Sequence, residues 1–102
     1  MSELISVGGK DDVPEGEMRQ YQVGGDDVAV ANVDGELHAF SDVCTHAQCS
    51  LAEGDLDGTT VTCACHGSEF DVTTGDVLGG PAVEPVQTFA VAVEGNELKI
   101  GL

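Results

Sequence analysis

The chain has 102 residues, room for one domain that buries about two-thirds of its unfolded surface, and Tyr21, Phe40, Phe70 and Phe89 are its only aromatics, so Val, Ala and Leu must fill the core. Nineteen acids against Lys10, Arg19 and Lys99 leave a formal charge of −16, which excludes nucleic acid and anionic membranes as partners. No run approaches the ~18 apolar residues of a membrane span, and Met1-Ser2-Glu3-Leu4 lacks the basic and apolar regions of a secretory signal, so the expected location is cytoplasmic.

Turn signals recur about every ten residues and separate short runs rich in Val, Thr and Ala. Helix is limited to a turn or two, around Asp11 to Val13, because no window free of Gly and Pro holds a long 3.6-residue apolar period. A strand from Met18 to Val23 stops at Gly24-Gly25-Asp26, and another from Val28 to Val33 stops at Asp34-Gly35. Asp34-Gly35 predicts a tight hairpin into the strand Glu36 to Phe40, since a type I′ turn needs positive φ at both central positions. Beyond Asp57-Gly58 lies a strand from Thr59 to Thr62. Thr74-Gly75 and Gly79-Gly80-Pro81 then break the chain before strands Val86 to Val93 and Glu97 to Ile100, which flank Gly95-Asn96. The pattern predicts one all-β domain over residues 1–102, built as a β meander. All four cysteines fall between Cys44 and Cys65, in loops at one end of the sheet, which predicts a ligand-binding insert on a β scaffold.

The acids are spread along the whole chain. Self-repulsion of that size destabilises a compact state at low salt, whereas at 1 M salt it is screened within a Debye length of roughly 3 Å. The spread reads as halophilic adaptation. An acidic docking face for a basic partner would be clustered, and it stands as a possible addition.

Two blocks carry the chemistry: Cys44-Thr45-His46 and, after a gap of 16 residues, Cys63-Ala64-Cys65-His66. Each pairs a thiol with an imidazole. Two cysteines and two histidines are the ligand set of a mixed-ligand [2Fe-2S] centre, in which histidines replace two cysteines on one iron and raise the potential to roughly −150 to +300 mV. With two thiolates instead of four, the oxidised site is formally neutral, and an electron enters it more easily. Spacing alone leaves zinc open, because Cys44, His46, Cys63 and His66 also make a tetrahedral Cys2His2 set. A framework of two disulfides is the third option, disfavoured by the absence of a secretion signal.

The segments Cys44-Thr45-His46-Ala47-Gln48-Cys49 and Cys63-Ala64-Cys65-His66-Gly67-Ser68 resemble the two cluster-binding loops of Rieske iron-sulfur proteins, and Gly80-Pro81-Ala82 resembles the proline loop that follows them. The likeness extends from about Val13 to Leu102, through Asn32-Val33-Asp34-Gly35-Glu36-Leu37 and the closing strands, in the manner of small soluble Rieske ferredoxins. It implies an all-β Rieske fold, an antiparallel sandwich or barrel-like base with a small cluster-binding subdomain from about Asp42 to Ala82. It also implies one [2Fe-2S] cluster per chain, with Cys44 and Cys63 on the buried iron and His46 and His66 on the outer one.

Cys49 and Cys65 are left over, and the resemblance to high-potential, respiratory-type loops implies that they form a disulfide tying the two loops together. Such a bridge would close a loop of about 16 residues, for which chain entropy gives roughly 3 kcal/mol. A reducing cytosol works against it.

Around the ligands the resemblance singles out Ser68 as a hydroxyl donor to sulfur. Phe70 stands where high-potential members carry a tyrosine, which removes one donor and implies a potential below theirs. Gly67 serves the tight turn after the second ligand block, where a Cβ would crowd the cluster. Pro81 is a turn former by residue type, and a shield against water by resemblance. Leu51 reads as core or as cluster shield. His38 lies in a strand-like run and reads as an ordinary sheet residue.

The function implied is that of a monomeric one-electron carrier, not an enzyme, between a reductase and a terminal oxygenase or oxidase. The outer-histidine edge would be its contact. The alternative is a tightly bound small subunit of a larger oxidoreductase, oxidase or nitrite-reductase-like, which would need a larger and more apolar interface. A zinc-stabilised interaction module is the third class.

Overall fold

The computed structural model describes residues 4–44, 49–65, 67–80 and 82–101. Ten strands account for most of them: β1 (Leu4–Gly9), β2 (Met18–Val23), β3 (Asp26–Val33), β4 (Glu36–Ser41), β5 (Asp55–Asp57), β6 (Thr60–Thr62), β7 (Glu69–Asp71), β8 (Val77–Gly79), β9 (Thr88–Glu94) and β10 (Glu97–Gly101). No α-helix occurs among the described residues, only single 3-10 turns at Lys10–Asp12 and Leu51–Glu53. No helix there is long and apolar enough to cross a membrane.

Local turn chemistry sets the hairpins. Asp34 (φ 52°) and Gly35 (φ 91°) form the predicted turn between β3 and β4, and Asp34 is the one non-glycine at positive φ among the described residues. The side chain of Asn32 braces that turn by accepting from the Gly35 N–H at 2.9 Å and donating to the Val13 carbonyl at 2.8 Å.

The strands form a six-stranded antiparallel sheet in the order β1-β10-β9-β4-β3-β2, the base, and a four-stranded sheet β5-β6-β7-β8. This corrects the meander. β4 and β9 are neighbours, in register at Ala39↔Phe89 and Phe40↔Thr88, although everything from Asp42 to Gln87 lies between them in the chain. The Ser41 N–H donates to the Gln87 carbonyl at 2.7 Å, so the insert leaves and re-enters the base at one point.

Two apolar cores follow. Val13, Val23, Val28, Val30, Ala39, Leu98 and Ile100 make one within the base. Ala29, Ala31, Phe40, Cys44, Leu51, Val61, Cys63, Phe70, Val72, Ala82 and Val86 make the other, between base and insert. Successive side chains of a strand point to opposite faces, so β3 serves both cores: Val28 and Val30 one, Ala29 and Ala31 the other, all fully buried. Its alanines face the insert, where the bulk of Phe40, Phe70 and Leu51 has to fit. Burying each of these large side chains contributes about 1.5–3 kcal/mol.

Candidate metal centre

Two loops of the insert are closed in the same way. In the first, the Cys44 N–H donates to the Cys49 carbonyl at 2.9 Å, Val43 bridges Ser50, and the Leu51 N–H donates to the Asp42 carbonyl at 2.7 Å. Residues 45–48, with His46, are framed by that ladder in sequence and lie outside the described residues. In the second, the Cys63 N–H donates to the Ser68 carbonyl at 2.8 Å and the Gly67 N–H to the Cys63 carbonyl at 3.1 Å. Each loop thus begins with a cysteine whose own N–H bonds the carbonyl five residues on.

Gly67 sits at φ +75°, a region open mainly to glycine, and among the described residues beyond its chain neighbours no atom lies within 4 Å of where its Cβ would be. The backbone of the turn accounts for glycine there. His66 and Pro81 also lie outside the described residues.

Flanking Pro81, a third segment seals the second loop. At Gly80, with φ +81°, a Cβ would stand 2.6 Å from Ser68 Cα and 2.7 Å from the Gly67 carbonyl oxygen. The Ala82 N–H donates to Ser68 Oγ at 3.2 Å in a fully buried contact. With that lone pair taken, the Ser68 hydroxyl hydrogen is left to point elsewhere. Phe70, two residues on in β7, is fully buried in the same core as Cys44 and Cys63.

Cys49 and Cys65 are joined by a disulfide that ties the first loop to the second. Cys44 (0 % exposed) and Cys63 (2 %) stay outside that bridge. The Cys63 sulfur lies within 4.8 Å of both bridged sulfurs. Leu51 is fully buried against the same set, as core. His38, on β4 opposite Ala31, lines a cleft with Val72, Thr73 and Phe89 and belongs to neither loop.

Two buried thiols in one apolar core suit a thiolate-bound metal group, because a buried thiolate needs a cation to compensate its charge and iron-sulfur chemistry favours sulfur donors. The residues present therefore supply the cysteine half of the set read from sequence, and the histidine half occupies the two undescribed segments. Lys10, Arg19 and Lys99 all fall outside residues 42–82, which carry Asp42, Glu53, Asp55, Asp57, Glu69, Asp71 and Asp76. Lys99 is paired with Glu94 and Glu97 on the base, at 2.8 and 3.4 Å. On that acidic surface, exposed apolar residues stand close in sequence to the loops: Val43 beside Cys44, and Val83 beside Ala82.

A buried carboxylate beside the first loop that sequence reasoning did not single out is Asp42. Its carboxylate is 1 % exposed and accepts from Gln20 Nε2 at 2.6 Å, Ser50 Oγ at 2.7 Å and the Ala52 N–H at 2.8 Å. One acid among nineteen gives no signal of its own.

Residues 3–90 match a family described as "Rieske [2Fe-2S] domain". The biphenyl dioxygenase ferredoxin subunit of Pseudomonas sp. (strain KKS102) is 42% identical over 91 residues, covering 88% of this chain and 84% of its own. Among solved structures, the ferredoxin of carbazole 1,9a-dioxygenase from Nocardioides aromaticivorans IC177 superposes with a TM-score of 0.92 at 31% identity, over 97% of both chains. A chain in the complex of reduced oxygenase and oxidized ferredoxin in carbazole 1,9a-dioxygenase gives 0.88 at 35% identity, over 94% of this chain and 99% of that one.

Proposed function

We propose, from the premise that this chain belongs to the Rieske [2Fe-2S] domain family, that it is a cytoplasmic, monomeric electron carrier of ferredoxin type between a reductase and a terminal oxygenase. The observation that carries the reading is the pair of buried cysteines on two identically closed loops, clamped to each other by the Cys49–Cys65 bridge. The chain forms a single domain whose metal-binding part runs from about 42 to 82. Cys44 and Cys63 hold the inner iron, and His46 and His66 the outer one.

When bound, a two-iron, two-sulfide group with this mixed ligation supplies reversible one-electron chemistry, at roughly −150 to +300 mV. The chain's own residues do the rest. Leu51, Phe70 and Ala82 exclude water from the inner side, and the Ser68 hydroxyl, oriented by the Ala82 N–H, offers a hydrogen bond to sulfur. The acidic insert, with Val43 and Val83 exposed beside the loops, suits a brief contact with a basic partner that has a small apolar centre.

Coverage of almost the whole length of ferredoxin relatives favours the carrier over a permanent subunit. The test is iron, sulfide and zinc analysis of the purified protein, with visible and EPR spectra before and after reduction, and its size on a calibrated column. Two irons and two sulfides per chain, one electron taken up, and a lone monomer are expected. Zinc without iron, or a four-cysteine spectrum, overturns the metal assignment, and elution only in a larger complex overturns the carrier.

A further inference from the structure

Asp42 stands at the junction of three parts of the molecule. Gln20 lies on β2 of the base, Ser50 and Ala52 on the return arm of the first ligand loop, and Asp42 itself at the start of the outgoing arm. Its backbone joins the same knot, the N–H donating to the Asp27 carbonyl at 2.9 Å and the carbonyl accepting from Leu51.

All three side-chain contacts are donated to the carboxylate, two on Oδ2 and one on Oδ1, the pattern of an ionised, acceptor-only group. The three donors to the Asp42 carboxylate, an amide, a hydroxyl and a backbone N–H, are all neutral. Neutral donors stabilise a buried carboxylate, yet leave its field acting on what lies nearby. Two residues along the chain is Cys44.

We propose that Asp42 is the positioning residue of the first ligand loop, a buried carboxylate that locks both arms of the loop to β2, fixes Cys44 in place and lowers the reduction potential of the centre. The inference rests on the metal centre proposed above. Asp42 acts through the loop that it holds and through its charge.

The two parts of the proposal give shifts of opposite sign. Asp42→Asn removes the charge at nearly constant shape, so the midpoint rises. Ser50→Ala and Gln20→Met each remove one donor and keep the charge, leaving it less compensated, so the midpoint falls. The experiment is a potentiometric titration of the iron-loaded protein and its three variants, with EPR spectra of the reduced forms. The expected result is one rise and two falls, with altered EPR line shape in Gln20→Met, where the tie to the base is cut.

Three shifts of the same sign, or midpoints and spectra unchanged in Ser50→Ala and Gln20→Met, overturn the proposal, and this holds even if Asp42→Asn fails to fold. Failure of the underlying reading looks different: the parent protein itself then contains no iron and sulfide.

Discussion

Replacing Ser68 with alanine separates the structural from the electronic work of one hydroxyl. The site is fully buried, and the Ala82 N–H that donates to Ser68 Oγ at 3.2 Å would lose its acceptor while Ala82 remains 4 % exposed. A stranded buried donor costs about 1–3 kcal/mol, and this long bond belongs at the lower end. For a domain of this size about 1 kcal/mol lowers Tm by roughly 4–8 °C. The electronic effect would come from the hydroxyl hydrogen, which the bond from Ala82 leaves free to meet a sulfur of the proposed centre. Such a bond strengthens when the sulfur gains negative charge. If reduction strengthens it about tenfold, the one-electron midpoint falls by ~59 mV in Ser68→Ala. Denaturation curves read the first effect and potentiometric titration in the visible reads the second. A destabilised variant with an unchanged midpoint would refute the assignment of Ser68 as a donor, leaving it a packing residue.

Phe70→Tyr adds an oxygen to a fully buried ring; the midpoint should rise, at a packing cost of about 1–3 kcal/mol read by urea denaturation. Cys49→Ser combined with Cys65→Ser opens the bridge and should cost about 3 kcal/mol of stability, an effect that a reductant reproduces in the parent protein and leaves absent in the variant. The Thr73 hydroxyl, at 2.5 Å, and the Thr73 N–H, at 2.8 Å, hold the Asp71 carboxyl below its usual range. A carboxyl lowered on folding stabilises above its ordinary pKa, and that gain disappears as pH falls through the lowered value. Thr73→Val should therefore be less stable than the parent at neutral pH by about a few tenths of a kcal/mol, given Asp71's exposure to solvent, with the gap closing in acid. A gap that persists unchanged at pH 2 would show that it does not come from Asp71.

Features legible in the sequence share a short range. Asp34-Gly35 announced its hairpin because the requirement for positive φ is met by those two residues alone. The two candidate loops stood out because each carries a thiol and an imidazole within three residues, and the structure closes each of them with a cysteine N–H bonded to the carbonyl five residues on. Strands β5, β7 and β8, at three residues each, are too short to show alternation, and β1 was not read because it ends in Gly8-Gly9 and pairs with β10 only through a register shift between Ser6 and Gly8. The pairing of β4 with β9 depends on two segments far apart in the chain, and no local pattern encodes it. The same holds for Asp42, whose role arises only when Gln20 of β2 and Ser50 of the loop arrive around it.

The division of apolar side chains across β3 has a consequence for a protein that holds the proposed metal centre. Val28 and Val30 help to build a core with no cysteine in it, whereas Ala29 and Ala31 face the core that contains both candidate thiolates. Stripping the metal thus removes a brace from one storey and leaves the other with all its own contacts. On that division, loss of the proposed centre would loosen the core shared by base and insert and leave the core of the base its own packing.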